Sequence, residues 1–333
     1  MTVGSVLKRV PVRVKKLLQL AISIAILGFF ISYLDWASIV NFFHRANGWI
    51  LLGLIALFPI DRLFMAWKWF LLVRDHPTPI SFWDGARIYL ASSALGLLLP
   101  LGGLGPDVAR VAMLSRQGMS ADISVPSILV ERLAGIVSAV LMMILSILLM
   151  LFFMQEQAPE SLRRLLVMLA LAGVAGLALL VIAYLLTRHR WSIDLAGRLR
   201  KRFAIDKYLT AIRWYADRRS LLLASVCLAW LEQWAPILAF YLACLGFEVP
   251  LSLLQCAAIV PLASILERLP ISFAGLGVRE AGLVFGASWF AVSSADAFLV
   301  ALTQQALYML TILPLGLLYF VRQKKIEAVA TRG

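Results

Sequence analysis

From Ile123 to Met154 the chain is apolar almost throughout, and its only charged residues there are Glu131 and Arg132. At about 1.5 Å per residue, such a run exceeds the roughly 30 Å hydrocarbon core of a bilayer. Runs of similar character begin near Leu17, Gly48, Leu165, Leu221 and Ala297. Hydrocarbon offers no partner to a backbone N–H or C=O, so these segments must be helices that satisfy their own polar groups. Composition agrees: 62% of the 333 residues are hydrophobic, well beyond the half or so found in soluble domains. The expected fold is an all-α polytopic membrane protein with about six full transmembrane helices.

Two other apolar runs end in a break. Phe82 to Leu99 leads into Pro100, Leu101, Gly102, Gly103, Leu104, Gly105, Pro106, Asp107 and, after two apolar residues, Arg110. Leu251 to Leu269 leads into Pro270, then Gly275, Leu276, Gly277, Val278, Arg279 and Glu280. Each reads as Leu-Pro, a Gly-Leu-Gly break, then charges. Irregular backbone at membrane depth survives only where protein buries it or where it lines a wet cavity. Paired interruptions in two halves of a membrane protein point to a transport site. Pro106 suits the first turn of a helix, and Gly118 is placed to stop that helix after Gln117. It is too short to cross, so Phe82 to Gly118 is expected as a re-entrant hairpin, with a second hairpin around the downstream break.

Lys8, Arg9, Arg13, Lys15 and Lys16 precede the first run. That run is span-length and no small-residue cleavage site follows, so a retained signal anchor is expected rather than a cleaved signal peptide. The positive-inside rule puts the N-terminus in the cytoplasm, and Arg322, Lys324 and Lys325 put the C-terminal end there too. By this count the hairpins enter from opposite sides, as an inverted pair would. Asp35 to Asn47 and Gly246 to Pro250 are expected as external connections. The reading gives one transmembrane domain over 1–333, with a first half 1–187, a linker 188–219 and a second half 220–333. The linker holds ten Lys or Arg against three Asp, interleaved with Trp191, Phe203, Tyr208 and Trp214, the pattern of an amphipathic segment on an anionic leaflet.

Ionisable residues at membrane depth are expensive unless paired or facing water. Asp61 and Arg62 interrupt the second span. Adjacent residues point about 100° apart on a helix, so each is expected to find a different partner. Glu-Arg-Leu occurs twice, at Glu131-Arg132-Leu133 and Glu267-Arg268-Leu269. With Asp107, Arg110, Arg279 and Glu280 these make a constellation that is expected to share a hydrated chamber. Two readings of it stand side by side. In one, Arg110, Arg132, Arg268 and Arg279 grip a phosphate by forked hydrogen bonds, helix starts near Pro106 and Val278 offer free N–H groups, and Gly102, Gly103, Gly105, Gly275 and Gly277 permit close approach. In the other, Asp107 and Glu280 cap their helices and the arginines pair with Glu131 and Glu267 to fix the bundle.

The net charge of +13 would raise nucleic acid as a partner in a soluble protein. Here the basic residues flank apolar runs, which is topology signal and headgroup contact, and no nucleic acid is expected. Cys227, Cys244 and Cys256 lie in or near apolar runs without a CxxC or a nearby histidine, so they read as packing residues, and no metal or cofactor is expected. No nucleotide-binding, nucleophile-elbow or zinc-protease motif occurs, and an enzyme is not the first expectation.

Taken in order, Leu99-Pro100-x-Gly102-Gly103-x-Gly105-x-Asp107-x-x-Arg110, Glu131-Arg132-Leu133-x-Gly135 and Leu269-Pro270-Ile271-Ser272-x-x-Gly275-x-Gly277-x-Arg279-Glu280 resemble the lysylphosphatidylglycerol synthase transmembrane-region family of flippase-like membrane proteins. Pro106 stands where that pattern has a second glycine. Bifunctional members add a C-terminal aminoacyl-transferase domain; this chain closes soon after its last span, so synthesis of lysyl-lipid is not expected of it. The resemblance implies a lipid translocase in a bacterial inner membrane, moving an anionic phospholipid, polyprenyl-phosphate or glycolipid headgroup between leaflets. A second copy of the chain or envelope-pathway enzymes would be its protein partners. A membrane-embedded lipid-phosphate transferase and a non-catalytic scaffold of an envelope-synthesis complex are the alternatives.

Overall fold

The computed structural model describes residues 12–32, 34–76, 80–98, 105–154, 160–188, 214–215, 217–268 and 276–330. Among them the regular elements are all helices: α1 (Val12–Ser32), α2 (Trp36–His44), α3 (Gly48–Val73), α4 (Phe82–Leu98), α5 (Gly105–Arg116), α6 (Ala121–Met154), α7 (Glu160–Arg188), α8 (Arg219–Glu232), α9 (Trp234–Gly246), α10 (Leu253–Arg268), α11 (Val278–Ser288) and α12 (Ser294–Ala330). Five segments among the described residues are long and apolar enough to cross a membrane: Gly48–Val73, Ala121–Phe153, Glu160–Leu179, Arg219–Gly246 and Ser294–Tyr319. The expected first span is helical in α1, whose Gln19–Ser32 part is a shorter apolar stretch. Both breaks are flanked by helices, as expected. Residues 99–104 and 269–275, with Gly102, Gly103 and Gly275, lie outside the described residues, as do 189–213 of the basic linker.

Local chemistry sets the helix ends. Asn47 Oδ1 accepts the N–H groups of Trp49 and Ile50 at the start of α3, and Ser81 Oγ accepts the Asp84 N–H at the start of α4. At α10, Ser252 Oγ accepts the Gln255 N–H while Gln255 Oε1 accepts the Ser252 N–H, a reciprocal capping box. Helix α5 has only 12 residues. It stops where Gly118 turns to φ 84°, and the Met119 N–H returns to the Leu114 carbonyl.

Two expected segments carry internal detail. Asp35 to Asn47, expected as a connection, contains helix α2; Phe42 of that helix is buried and stacks on Phe247 with ring centroids 4.1 Å apart. The run Leu221 to Leu245 lies within the span-length segment Arg219–Gly246, as expected, with an interruption between α8 and α9 at Gln233. Pro236 has no N–H to give the Glu232 carbonyl, so the helical ladder cannot run straight through.

The chain divides into two compact units: 1–59, 91–106 and 236–333, and 60–90 with 107–235. In the first unit, α10 and α11 pack through small residues. A Cβ on Gly286 would sit 2.5 Å from Ile259 Cγ2, and one on Gly282 would sit 3.3 Å from Ala263. Also in this unit, a Cβ on Gly96 would lie 2.3 Å from Cγ of Pro106, a ring that cannot move aside. In the second unit, Ser138 Oγ of α6 donates to the Val226 carbonyl of α8 at 3.0 Å. Beyond the helix ends of this unit, the His76 ring lies 4.0 Å from that of Trp214. The Arg218 guanidinium sits 3.4 Å over Trp214, and Tyr215 donates its hydroxyl to the Leu72 carbonyl at 3.0 Å. Burial and the Arg218 charge hold the His76 pKa below its ordinary value, with Asp75 opposing them.

Gly96→Ala should lower stability by about 1–3 kcal/mol through overpacking, read as a fall in apparent Tm in detergent. Gly176→Ala, with open space around it, should not. Because His76 binds its proton more weakly folded than unfolded, its contribution is complete above about pH 6.5 and is lost as pH falls through the folded pKa. A pH series of Tm should show that loss, and His76→Phe should flatten it.

Candidate functional site

In the second unit, Asp107 and Arg110 lie one turn apart in α5, and Glu131 and Arg132 are neighbours in α6. The four converge. Arg110 Nη2 is 2.8 Å from Glu131 Oε2 and 3.3 Å from Asp107 Oδ1. Arg132 pairs with the other Asp107 oxygen. Tyr89 of α4 donates its hydroxyl to Glu131 Oε1 at 2.8 Å. The Arg110 guanidinium lies 4.6 Å from the centre of the Tyr89 ring and 5.5 Å from that of Trp69, which favours a delocalised cation. Arg110 and Glu131 are 4% and 6% exposed, Asp107 17% and Arg132 39%, so the set is sealed at one end and wetter at the other. Two carboxylates face two guanidiniums, and the formal charge cancels. Arg110 Nε is buried with no hydrogen-bond partner among the described residues.

Among the described residues of this unit, two more ion pairs are largely buried. Lys68 of α3, almost fully buried, pairs with Glu232 of α8. Arg62 and Asp61, which point in different directions on the helix, nevertheless bond each other: Arg62 Nε donates to Asp61 Oδ2 at 3.0 Å. The long guanidinium stem folds back over the turn, which the Cβ directions alone do not show.

The other unit holds a second cluster around Arg279 of α11. Its Nη2 donates to Gln304 Oε1 at 2.7 Å, and its Nη1 to Glu280 Oε1 at 3.3 Å and Gln305 Oε1 at 3.5 Å. Its Nε is 3.8 Å from Glu267 Oε2. Glu280, 1% exposed, accepts the Gly277 N–H at 2.7 Å. The helix start that the sequence leaves open to a headgroup is therefore taken by a carboxylate of the chain itself. Gly277, at φ 87°, lets the backbone turn there, and Ser23 of α1 donates to the Leu276 carbonyl at 3.0 Å. Beside this cluster is an apolar crevice of about 600 Å³ between α1 and the α10–α11 pair, walled by Ile26, Phe29, Leu266, Val278 and Phe285.

The site residues expected from the sequence thus fall into two sets: Asp107, Arg110, Glu131 and Arg132 in one, with Gly105 opening their helix, and Glu267, Gly277, Arg279 and Glu280 in the other. The Arg268 side chain lies outside the described residues. Tyr89, Trp69 and the Lys68–Glu232 pair were missed. Lys68 carried a usable signal, a lone lysine in the apolar run of α3. Among the described residues no group of His, Cys, Asp and Glu is placed to hold a metal ion. The chemistry on offer is ionic: guanidinium forks suited to oxyanions, held by carboxylates.

Helices of this length and polarity, with ion clusters buried among them, define a multi-pass membrane protein. The family described as lysylphosphatidylglycerol synthase TM region matches residues 16–316, and the chain belongs to it. No curated protein matches closely enough to serve as a relative.

Glu280→Ala takes the buried counter-ion from Arg279, leaving it the more exposed Glu267 and the Gln304 and Gln305 amides, and takes the acceptor from the Gly277 N–H. It should cost about 3–5 kcal/mol, seen as a large fall in apparent Tm, and Glu280→Gln, which keeps an acceptor for Gly277, should cost less.

Proposed function

We propose that the protein is a lipid translocase, carrying an anionic phospholipid or polyprenyl-linked headgroup between the leaflets of a bacterial inner membrane with both termini in the cytoplasm. The observation that carries this is Arg110, a fully charged fork buried at the start of a helix too short to cross the bilayer. Charged residues at membrane depth mark substrate or ion paths by default, and a guanidinium fork matches a phosphate. Arg279 supplies a similar fork in the other unit, beside an apolar crevice suited to a hydrocarbon chain. Asp107, Glu131, Arg132, Glu267 and Glu280 set the charge around these two cations, and Arg268 and the break glycines 102, 103, 105, 275 and 277 are carried over from the sequence as further candidates for the substrate path. Membership of a family named for a phospholipid agrees with a lipid substrate. The chain works as one transmembrane domain over 1–333, its halves joined by the basic linker 188–219, with a second copy or envelope-pathway enzymes as protein partners.

The balance of formal charge within the first cluster favours a second reading, a scaffold in an envelope-synthesis complex whose ion pairs only hold the bundle. Leaflet exchange separates the two. Liposomes containing the protein and a labelled anionic or polyprenyl-phosphate lipid should equilibrate the label faster than protein-free vesicles. Arg110→Gln and Arg279→Gln should each slow exchange at least about tenfold, as loss of a charge-assisted contact implies, and Arg110→Lys should not restore it, because a point charge lacks the fork. No acceleration for any candidate, or full activity in both variants, favours the scaffold.

A further inference from the structure

The first cluster has no charge to spare. Arg110 and Arg132 face Asp107 and Glu131, and each guanidinium already lies against a carboxylate. An anionic headgroup that reaches Arg110 must take the place of one of them. Asp107 is 17% exposed, also pairs with Arg132, and can keep its charge against that half-wet partner. Glu131 is 6% exposed. Its neighbours are Tyr89 from α4, Asp107 and Arg110 from α5, and Arg132 on its own helix. Arg62 of α3 and Glu232 of α8 act on the Tyr89 end from farther away, and each is already committed, to Asp61 and Lys68. A Glu131 carboxylate separated from Arg110 would have only the Tyr89 hydroxyl. A buried, unpaired carboxylate is disfavoured by several kcal/mol, and taking a proton removes the charge.

We propose that the headgroup binds by exchange: the lipid phosphate replaces the Glu131 carboxylate on Arg110, and Glu131 takes up one proton from water as it is displaced. One O–H bond forms at Glu131, no bond in the lipid breaks, and the cluster stays neutral, with the phosphate supplying the negative charge that the glutamate gives up. Arg110 Nε, buried and unpartnered, becomes a donor to the incoming oxyanion. Release of the headgroup reverses the step and returns the proton, so transport through this site is coupled to protons. The inference rests on the headgroup reading above.

The test is calorimetric titration of the full-length protein in detergent, repeated in buffers of different ionisation heat. The probes are dihexanoyl phosphatidylglycerol, whose phosphodiester does not titrate near neutrality, and farnesyl phosphate, which separates a phospholipid from a polyprenyl source. The phosphodiester should bind with uptake of about one proton, and its affinity should fall about tenfold per pH unit on the alkaline side. If farnesyl phosphate is the ligand that binds, its own titration is subtracted and the same proton should remain. Glu131→Gln should bind with no proton uptake and no such pH dependence, whereas Asp107→Asn should keep the proton. Infrared difference spectra of the wild-type protein should gain a protonated-carboxyl band on adding lipid, a readout that needs no variant. Binding without proton uptake, uptake that persists in Glu131→Gln, or uptake lost in Asp107→Asn overturns exchange at Glu131 and leaves the headgroup reading standing. No binding of either lipid overturns both.

Discussion

An ion in hydrocarbon must bring its counter-ion with it, and Arg110 shows what that demands of the surrounding fold. Its guanidinium is 4% exposed and is held by Glu131 on α6 and Asp107 one turn back on α5, with Tyr89 of α4 and Trp69 of α3 over its faces. Four helices contribute to neutralising one side chain. Removing a carboxylate from this set leaves a charge whose burial is less fully compensated, and a loss of that kind outweighs an ordinary packing defect. The cluster therefore fixes the register of α5 against α6 more strictly than apolar contact would, since apolar side chains slide past one another at little cost and ion pairs do not.

The unit that holds Arg279 obeys the same rule with different groups. One guanidinium is shared among Glu280, Gln304 and the more exposed Glu267. Glu280 serves twice, as counter-ion and as acceptor for the Gly277 N–H at the start of α11. A carboxylate of the chain thus stands where an external anion would otherwise bind. In both clusters the chain supplies its own anions to its own cations, so a foreign anion would have to displace one to reach either guanidinium.

Much of this was legible in the sequence because it follows from short-range chemistry. Pro106 and Gly118 bracket a helix that runs from Gly105 to Arg116, and the charges after each break sit in the first turns, where spacing put them. The pairing of Arg110 with Glu131 belonged to one of two readings the residues allowed, and the two side chains lie 2.8 Å apart. Side-chain reach and lateral neighbours were not legible. Arg62 turning back on Asp61 depends on a flexible stem, and the break at Gln233 depends on one missing N–H four residues downstream of Glu232. Tyr89 and Trp69 looked like ordinary apolar-run aromatics, because their role depends on which helix lies opposite. Lys68 is the instructive miss: the rule that singled out Asp61 applies to it equally, and its partner Glu232 lies 164 positions away in the chain.

The central claim is that the buried guanidinium at the first break is an anion seat and not only a rivet. Native mass spectrometry of protein released gently from its own membrane tests it most directly. The account predicts that the wild-type protein retains a phosphorus-bearing lipid and that Arg110→Gln, still folded, loses it. An identical complement of lipids on both proteins, or no phospholipid on either, would contradict it.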